Sequence, residues 1–131
     1  MRRVAYWFAR TWPGTILLSW ALTHMPFVIP SERLRETETL IAFEHPQPVE
    51  AVHILIVPKE RYRSVLELPD NATEFLRDLF DVVKSLVEAL NLEEGAYRLV
   101  MNGGSHQEVK HLHFHLLSEG PAEQIVDSLA R

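Results

Sequence analysis

The sequence predicts an α+β domain in which an antiparallel sheet packs one long helix against a single face. Three observations carry that prediction: a helical-period apolar stripe between residues 70 and 90, short strand-like segments on both sides of it, and Pro/Gly punctuation that is local rather than linker-like. The chain has 131 residues, enough to bury about two-thirds of the surface its unfolded form exposes. Hydrophobic residues make up 47% and charged residues 24%, the balance of a folded domain rather than of a disordered chain or a membrane-spanning bundle. No repeat or low-complexity run interrupts it.

Residues 39–43 read as a strand, 46–48 as a turn, and 52–57 as a second strand that Pro58 ends, so the two pair across the turn. From 70 to 90, Phe75, Leu76, Leu79, Phe80, Val83, Leu86, Val87 and Leu90 recur at helical spacing, with Asp70, Asn71 or Thr73 as the cap and Gly95 as the stop signal. Residues 97–101 form a third strand leading into the polar loop 102–107. Residues 109–117 alternate: His111, His113 and His115 share one face, and Leu112, Phe114 and Leu116 share the other. The apolar side belongs against the helix, and the histidines on the opposite face of the sheet.

Residues 1–30 stand apart from the domain expected over 31–131. The first 31 residues hold no acidic side chain but carry Arg2, Arg3 and Arg10. The apolar stretch 15–30 is too short and too broken, by His24 and Pro26 among others, for a spanning helix, and lacks a small-residue cleavage site for export. Val4, Trp7, Phe8, Ile16, Leu17 and Trp20 fall near helical spacing, with Pro13 and Gly14 dividing the run. A helical extension packed on the domain is expected in preference to a helix lying on a membrane surface.

A net charge of -5 gives no electrostatic pull toward DNA or RNA, so a nucleotide ligand would be held locally. Without cysteine there is no disulfide, thiolate zinc site or cysteine nucleophile. The chemical resource is seven histidines, four of them between His106 and His115. Alternate residues on a straight strand put His111 and His115 roughly 13 Å apart, whereas zinc ligands crowd within about 2.0 Å of one ion. A metal site is therefore disfavoured. A row of imidazoles suits a phosphate chain, where one ring attacks phosphorus and its neighbours orient it or meet the leaving atom.

The run His111-Leu112-His113-Phe114-His115-Leu116-Leu117 resembles the signature of the histidine triad (HIT) family of nucleotide hydrolases and transferases, and most of all its Hint-like branch. Ile56-Val57-Pro58-Lys59, Leu40-Ile41-Ala42-Phe43, His53, Tyr97-Arg98-Leu99-Val100-Met101-Asn102, Gln107 and Val109 match as well, so the resemblance covers roughly residues 35–118. It implies a five-stranded antiparallel sheet with helices, a homodimer joining two sheets, no cofactor, a cytoplasmic location and hydrolysis of nucleoside phosphoramidates or related α-phosphate derivatives.

The same resemblance assigns roles. His113 would be the nucleophile, its second ring nitrogen donating to a backbone carbonyl. His115 would contact the phosphate and the scissile bridging atom, and His111 and His53 would support the nucleophile from behind. Asn102 and Gln107 would bind phosphate oxygens, with backbone N–H groups of the Gly103-Gly104-Ser105 loop adding donors. Phe43 and Leu55 would wall a purine-type base pocket.

Four departures stand out. His45 occupies the place of an Asp that commonly grips the ribose hydroxyls, and an imidazole cannot chelate both as a carboxylate does. The glycine loop is about two residues short, and Glu108 replaces a common Ser or Thr that faces the leaving group; its carboxylate would repel phosphate yet attract a cationic amine. The metal-binding cysteines of some relatives are absent, so no structural zinc is expected. A dinucleoside polyphosphate hydrolase, or a nucleotide-binding or interaction module that has lost turnover, stand as the alternatives.

Overall fold

The computed structural model describes residues 32–120, so the helical extension expected over 1–30 lies outside the described residues, as does the end of the expected domain, 121–131. Five strands, β1 (Arg35–Glu36), β2 (Leu40–Glu44), β3 (Val52–Pro58), β4 (Ala96–Val100) and β5 (Phe114–Gly120), form one sheet in the order β1-β2-β3-β5-β4. All its pairings are antiparallel. One helix, α1 (Thr73–Ala89), joins the two halves of the sheet. The α+β class and the five-stranded sheet stand as expected.

The β2–β3 hairpin pairs Phe43 with Leu55 and Glu44 with Ile54, and the His45 N–H reaches the His53 carbonyl at 2.8 Å before the turn. Apolar residues of one parity, Leu40, Ala42, Ile54, Ile56, Phe114 and Leu116, meet Phe75, Leu79, Val82, Val83, Leu86 and Val87 of α1. Phe75 sits between Tyr62 and Phe114 at ring separations of 6.3 and 6.2 Å. Burying each large apolar side chain contributes about 1.5–3 kcal/mol, so this face carries most of the stability.

Four expectations need correction. The helix cap is Ala72, with no side-chain bond, rather than Asp70, Asn71 or Thr73. A turn closed by the Ala72 N–H onto the Pro69 carbonyl (3.0 Å) feeds the helix directly, and the buried site it creates favours a small apolar residue. The stop is Asn91, whose left-handed φ of 57° ends the run before Gly95; asparagine tolerates that conformation better than most residues. The spacing leaves out Val82, which is buried, whereas Leu76, Phe80 and Leu90 are exposed, a surplus of the stripe that one small sheet does not cover.

The fourth correction concerns the histidine strand, expected from Val109, which begins only at Phe114. Continuing the β3–β5 register from the Ile56–Phe114 pair would set Leu112 opposite Pro58, which has no N–H for the ladder. The Leu112 N–H goes instead to the Tyr62 carbonyl at 2.7 Å. His111 and His113 therefore sit on an extended approach to the strand, and only His115 lies within it.

Candidate active site

The parity that sends Ile54, Ile56, Phe114 and Leu116 to the helix sends His53, Leu55 and His115 to the other face. Phe43, Leu55, His115 and Val100 form one row across β2, β3, β5 and β4. His53 stands one step along β3, diagonal to His115, and the two rings meet with His53 Nε2 2.9 Å from His115 Nδ1. His45, at the end of β2, stacks on His53 with centroids 4.3 Å apart and planes within 19°. His113 meets His115 edge-on at 5.0 Å.

Hydrogen bonds to backbone groups fix where the protons sit. A carbonyl can only accept, so the 2.7 Å contact between His113 Nδ1 and the His111 carbonyl places a proton on Nδ1, and in the neutral ring Nε2 is the unprotonated nitrogen. His111 Nε2–H likewise donates to the Pro58 carbonyl at 3.3 Å. A backbone N–H can only donate, and Val49 N–H points at His53 Nδ1 (3.2 Å). Neutral His53 therefore carries its proton on Nε2 and donates it to His115 Nδ1, which places the His115 proton on Nε2.

Burial keeps these rings neutral. It pushes His53 down to about 4, helped by the charge His45 would carry. His115 also falls to about 4, first through burial and then through the charges of His113, His53 and His45. His45 is lowered by burial and by His113. His111 is lowered mainly by burial, with His113 and Arg61 adding repulsion against the opposing Pro58 contact. The result is a ring-nitrogen donor on His115, uncharged near neutral pH, that meets the His113 ring edge-on.

The other candidates lie on β2, on β3 and in the loop that follows β4. Phe43 and Leu55 are buried in the same row as His115. Asn102 is half-buried just after β4. Gly103 and Gly104 are exposed, and Gly104 takes a φ of +59° to open a short 3-10 turn, Gly104–His106, a conformation that disfavours a side chain. The N–H groups of His106 and Gln107 close that turn onto Gly103 and Gly104. Gln107 is buried, with one amide proton committed to the Arg63 carbonyl at 2.6 Å. Glu108 is exposed. Among the described residues, no three His, Asp or Glu side chains are arranged to hold a metal ion; His45 and His53 stack rather than converge.

The HIT domain pattern matches residues 27–121, beginning just ahead of the boundary expected at 31. The chain belongs to the HIT family. It is 37% identical over 97 residues to the adenosine 5'-monophosphoramidase HNT1 of Candida albicans, covering 68% of this chain and 62% of that protein. It is 33% identical over 95 residues to the purine nucleoside phosphoramidase of Escherichia coli, covering 71% and 80%. The chain thus spans about six-tenths of the Candida protein's length. Among solved structures, a HIT family hydrolase from Legionella pneumophila superposes with a TM-score of 0.65 at 33% identity, covering 77% of this chain and 90% of that one.

Sequence reasoning reached His53 and His45 only through the family resemblance. It missed the bonds that orient them. One local signal was available: in His45-Pro46-Gln47-Pro48-Val49 alternate positions are proline, so after the His45 N–H, which pairs with the His53 carbonyl, Gln47 and Val49 supply the N–H groups of this run.

Proposed function

We propose that this HIT domain hydrolyses nucleoside phosphoramidates, or related nucleotides joined through the α-phosphate, by way of a nucleotidyl-histidine intermediate on His113. The observation that carries this function is the His113 Nδ1–H bond to the His111 carbonyl, which fixes the tautomer whose Nε2 is unprotonated and so able to act as a nucleophile. The names of the Candida and E. coli relatives support the substrate class. His113 Nε2 forms a bond to phosphorus, the P–N bond to the amine breaks, and the amine takes up a solvent proton. Water then attacks phosphorus, the Nε2–P bond breaks, and the nucleoside monophosphate leaves as a proton returns to solvent. His115 Nε2–H donates a hydrogen bond to the phosphate or the bridging atom as charge builds there. No cofactor enters.

Asn102, the remaining amide proton of Gln107 and the Gly103-Gly104 backbone hold the phosphate, and Phe43 and Leu55 flank a purine base. His45, with its Nδ1 taken by the Gln47 N–H (3.0 Å), has one ring nitrogen left for a ribose hydroxyl. Exposed Glu108 suits a cationic leaving group. The outward apolar residues Leu76 and Phe80 of α1, 41% and 56% exposed, suit a two-fold homodimer. No helix among the described residues is long and apolar enough to cross a membrane. We place the enzyme in the cytoplasm with the nucleotide pool, acting on small molecules rather than on nucleic acid.

The test is a substrate panel with rapid quenching. Adenosine 5'-phosphoramidate should release adenosine monophosphate and amine, with one nucleotidyl group trapped on His113 by mass spectrometry. Faster turnover of diadenosine polyphosphates would reassign the substrate class. Absence of any turnover would leave only a binding module.

A further inference from the structure

The turn between β2 and β3 spends the N–H groups of Gln47 and Val49 on imidazoles. Pro46 and Pro48 have none, Gln47 N–H bonds His45 Nδ1 at 3.0 Å, and Val49 N–H bonds His53 Nδ1 at 3.2 Å. His53 then passes the constraint on, Nε2–H to His115 Nδ1 at 2.9 Å. The His45 ring stacked 4.3 Å over His53 resists rotation of the His53 plane.

We propose that the Val49 backbone N–H is a positioning group for the reaction, one that fixes the proton of His115 on Nε2 by acting through His53. Without it, His53 can shift its own proton to Nδ1 and turn Nε2 into an acceptor. His115 must then place its proton on Nδ1, facing His53, and Nε2 confronts the phosphate with a lone pair instead of a donor. The low proton affinities of His53 and His115 leave both rings neutral at pH 7, the state in which tautomers matter. The Val49 side chain, 74% exposed, takes no part, so the position can be changed without disturbing packing. The inference rests on the hydrolase function proposed above, and two independent readouts separate their failures.

Val49→Pro deletes the N–H; Val49→Ala keeps it. In the full chain labelled with ¹⁵N-histidine, long-range ¹H–¹⁵N correlation spectra should show His115 as the Nε2–H tautomer in the parent and in Val49→Ala, and as a mixture or as Nδ1–H in Val49→Pro. On adenosine 5'-phosphoramidate, Val49→Pro should lose about tenfold or more in kcat, within the range for removing one preorganised donor, while KM stays within about threefold. If Val49→Pro does not fold, His53→Gln, which keeps an N–H near the Nε2 position, should hold the His115 tautomer, and His53→Phe should release it. An unchanged His115 tautomer in Val49→Pro, or in His53→Phe, overturns the positioning role whatever the rates do. A shifted tautomer in a protein that turns over no phosphoramidate upholds the positioning role and removes the hydrolase function instead.

Discussion

The two faces of this sheet are built from the same three strands by alternate residues, yet they obey different rules. Toward α1, β2, β3 and β5 present Leu40, Ala42, Ile54, Ile56, Phe114 and Leu116, a surface defined by volume and closed by ring contacts around Phe75. Away from α1, the same strands present His53 and His115 beside Phe43 and Leu55, and there hydrogen bonds of 2.7–3.2 Å decide which nitrogen carries each proton. One face is insensitive to which hydrocarbon fills it, provided that it is filled. The other depends on single atoms. Stability and chemistry are thus divided by parity, and each can be broken separately.

The largest effect should come from His113→Ala. Removing the ring proposed as nucleophile eliminates the covalent route, and turnover of a phosphoramidate should fall by at least about 10³-fold while cooperative thermal unfolding is retained. A variant keeping most of the parent rate would dissolve the distinction between the faces, since the chemistry would then not depend on the atom the structure singles out.

Leu116→Ala makes the converse cut on the helix side of β5, next to His115 in sequence but on the opposite face. A fully buried leucine replaced by alanine costs about 2–5 kcal/mol, to be read from urea unfolding. The fraction that remains folded should keep its kcat within about threefold. A large loss in kcat with little loss of stability would show that the two faces are mechanically coupled.

What the sequence reveals follows the same division. Burial patterns were legible because they repeat: the spacing from Phe75 to Val87 located α1, and the alternation put Leu112, Phe114 and Leu116 in the helix-side core and His115 on the other face of β5. Strand limits were less legible, because Pro58 ends the β3 ladder opposite Leu112, and a register across some 55 residues is not visible locally. β1, only two residues long, has no period to detect. Leu76 and Phe80 look like core because an apolar stripe does not say how wide the sheet beneath it is. The site was named by the histidine run, but its proton placement depends on Val49, Gln47 and the His111 carbonyl, which are backbone atoms that any side chain would supply. Only the two prolines of the turn hint at that.

The smallest and most gradual effect is on acid stability, and it too should belong to one face. Well above pH 6.5, His45, His53, His111 and His115 are neutral in both the folded and the unfolded chain and contribute no pH dependence. Below it, the unfolded chain binds protons that the folded one refuses, since His53 and His115 are held down to about 4 and His45 and His111 are also lowered. With more protons bound in the unfolded state, stability must fall as pH falls from about 6.5 to about 4. Tm should accordingly be lower at pH 5 than at pH 7.5, and His53→Phe should narrow that gap by removing one refused proton and the repulsion it imposes on His115. Leu116→Ala, acting on the face that carries none of these histidines, should lower Tm by the same amount at both pH values. Should Leu116→Ala flatten the pH dependence while His53→Phe leaves it unchanged, the acid sensitivity would have to arise elsewhere, and the neutral imidazole cluster would lose its claim to being the titrating half of the molecule.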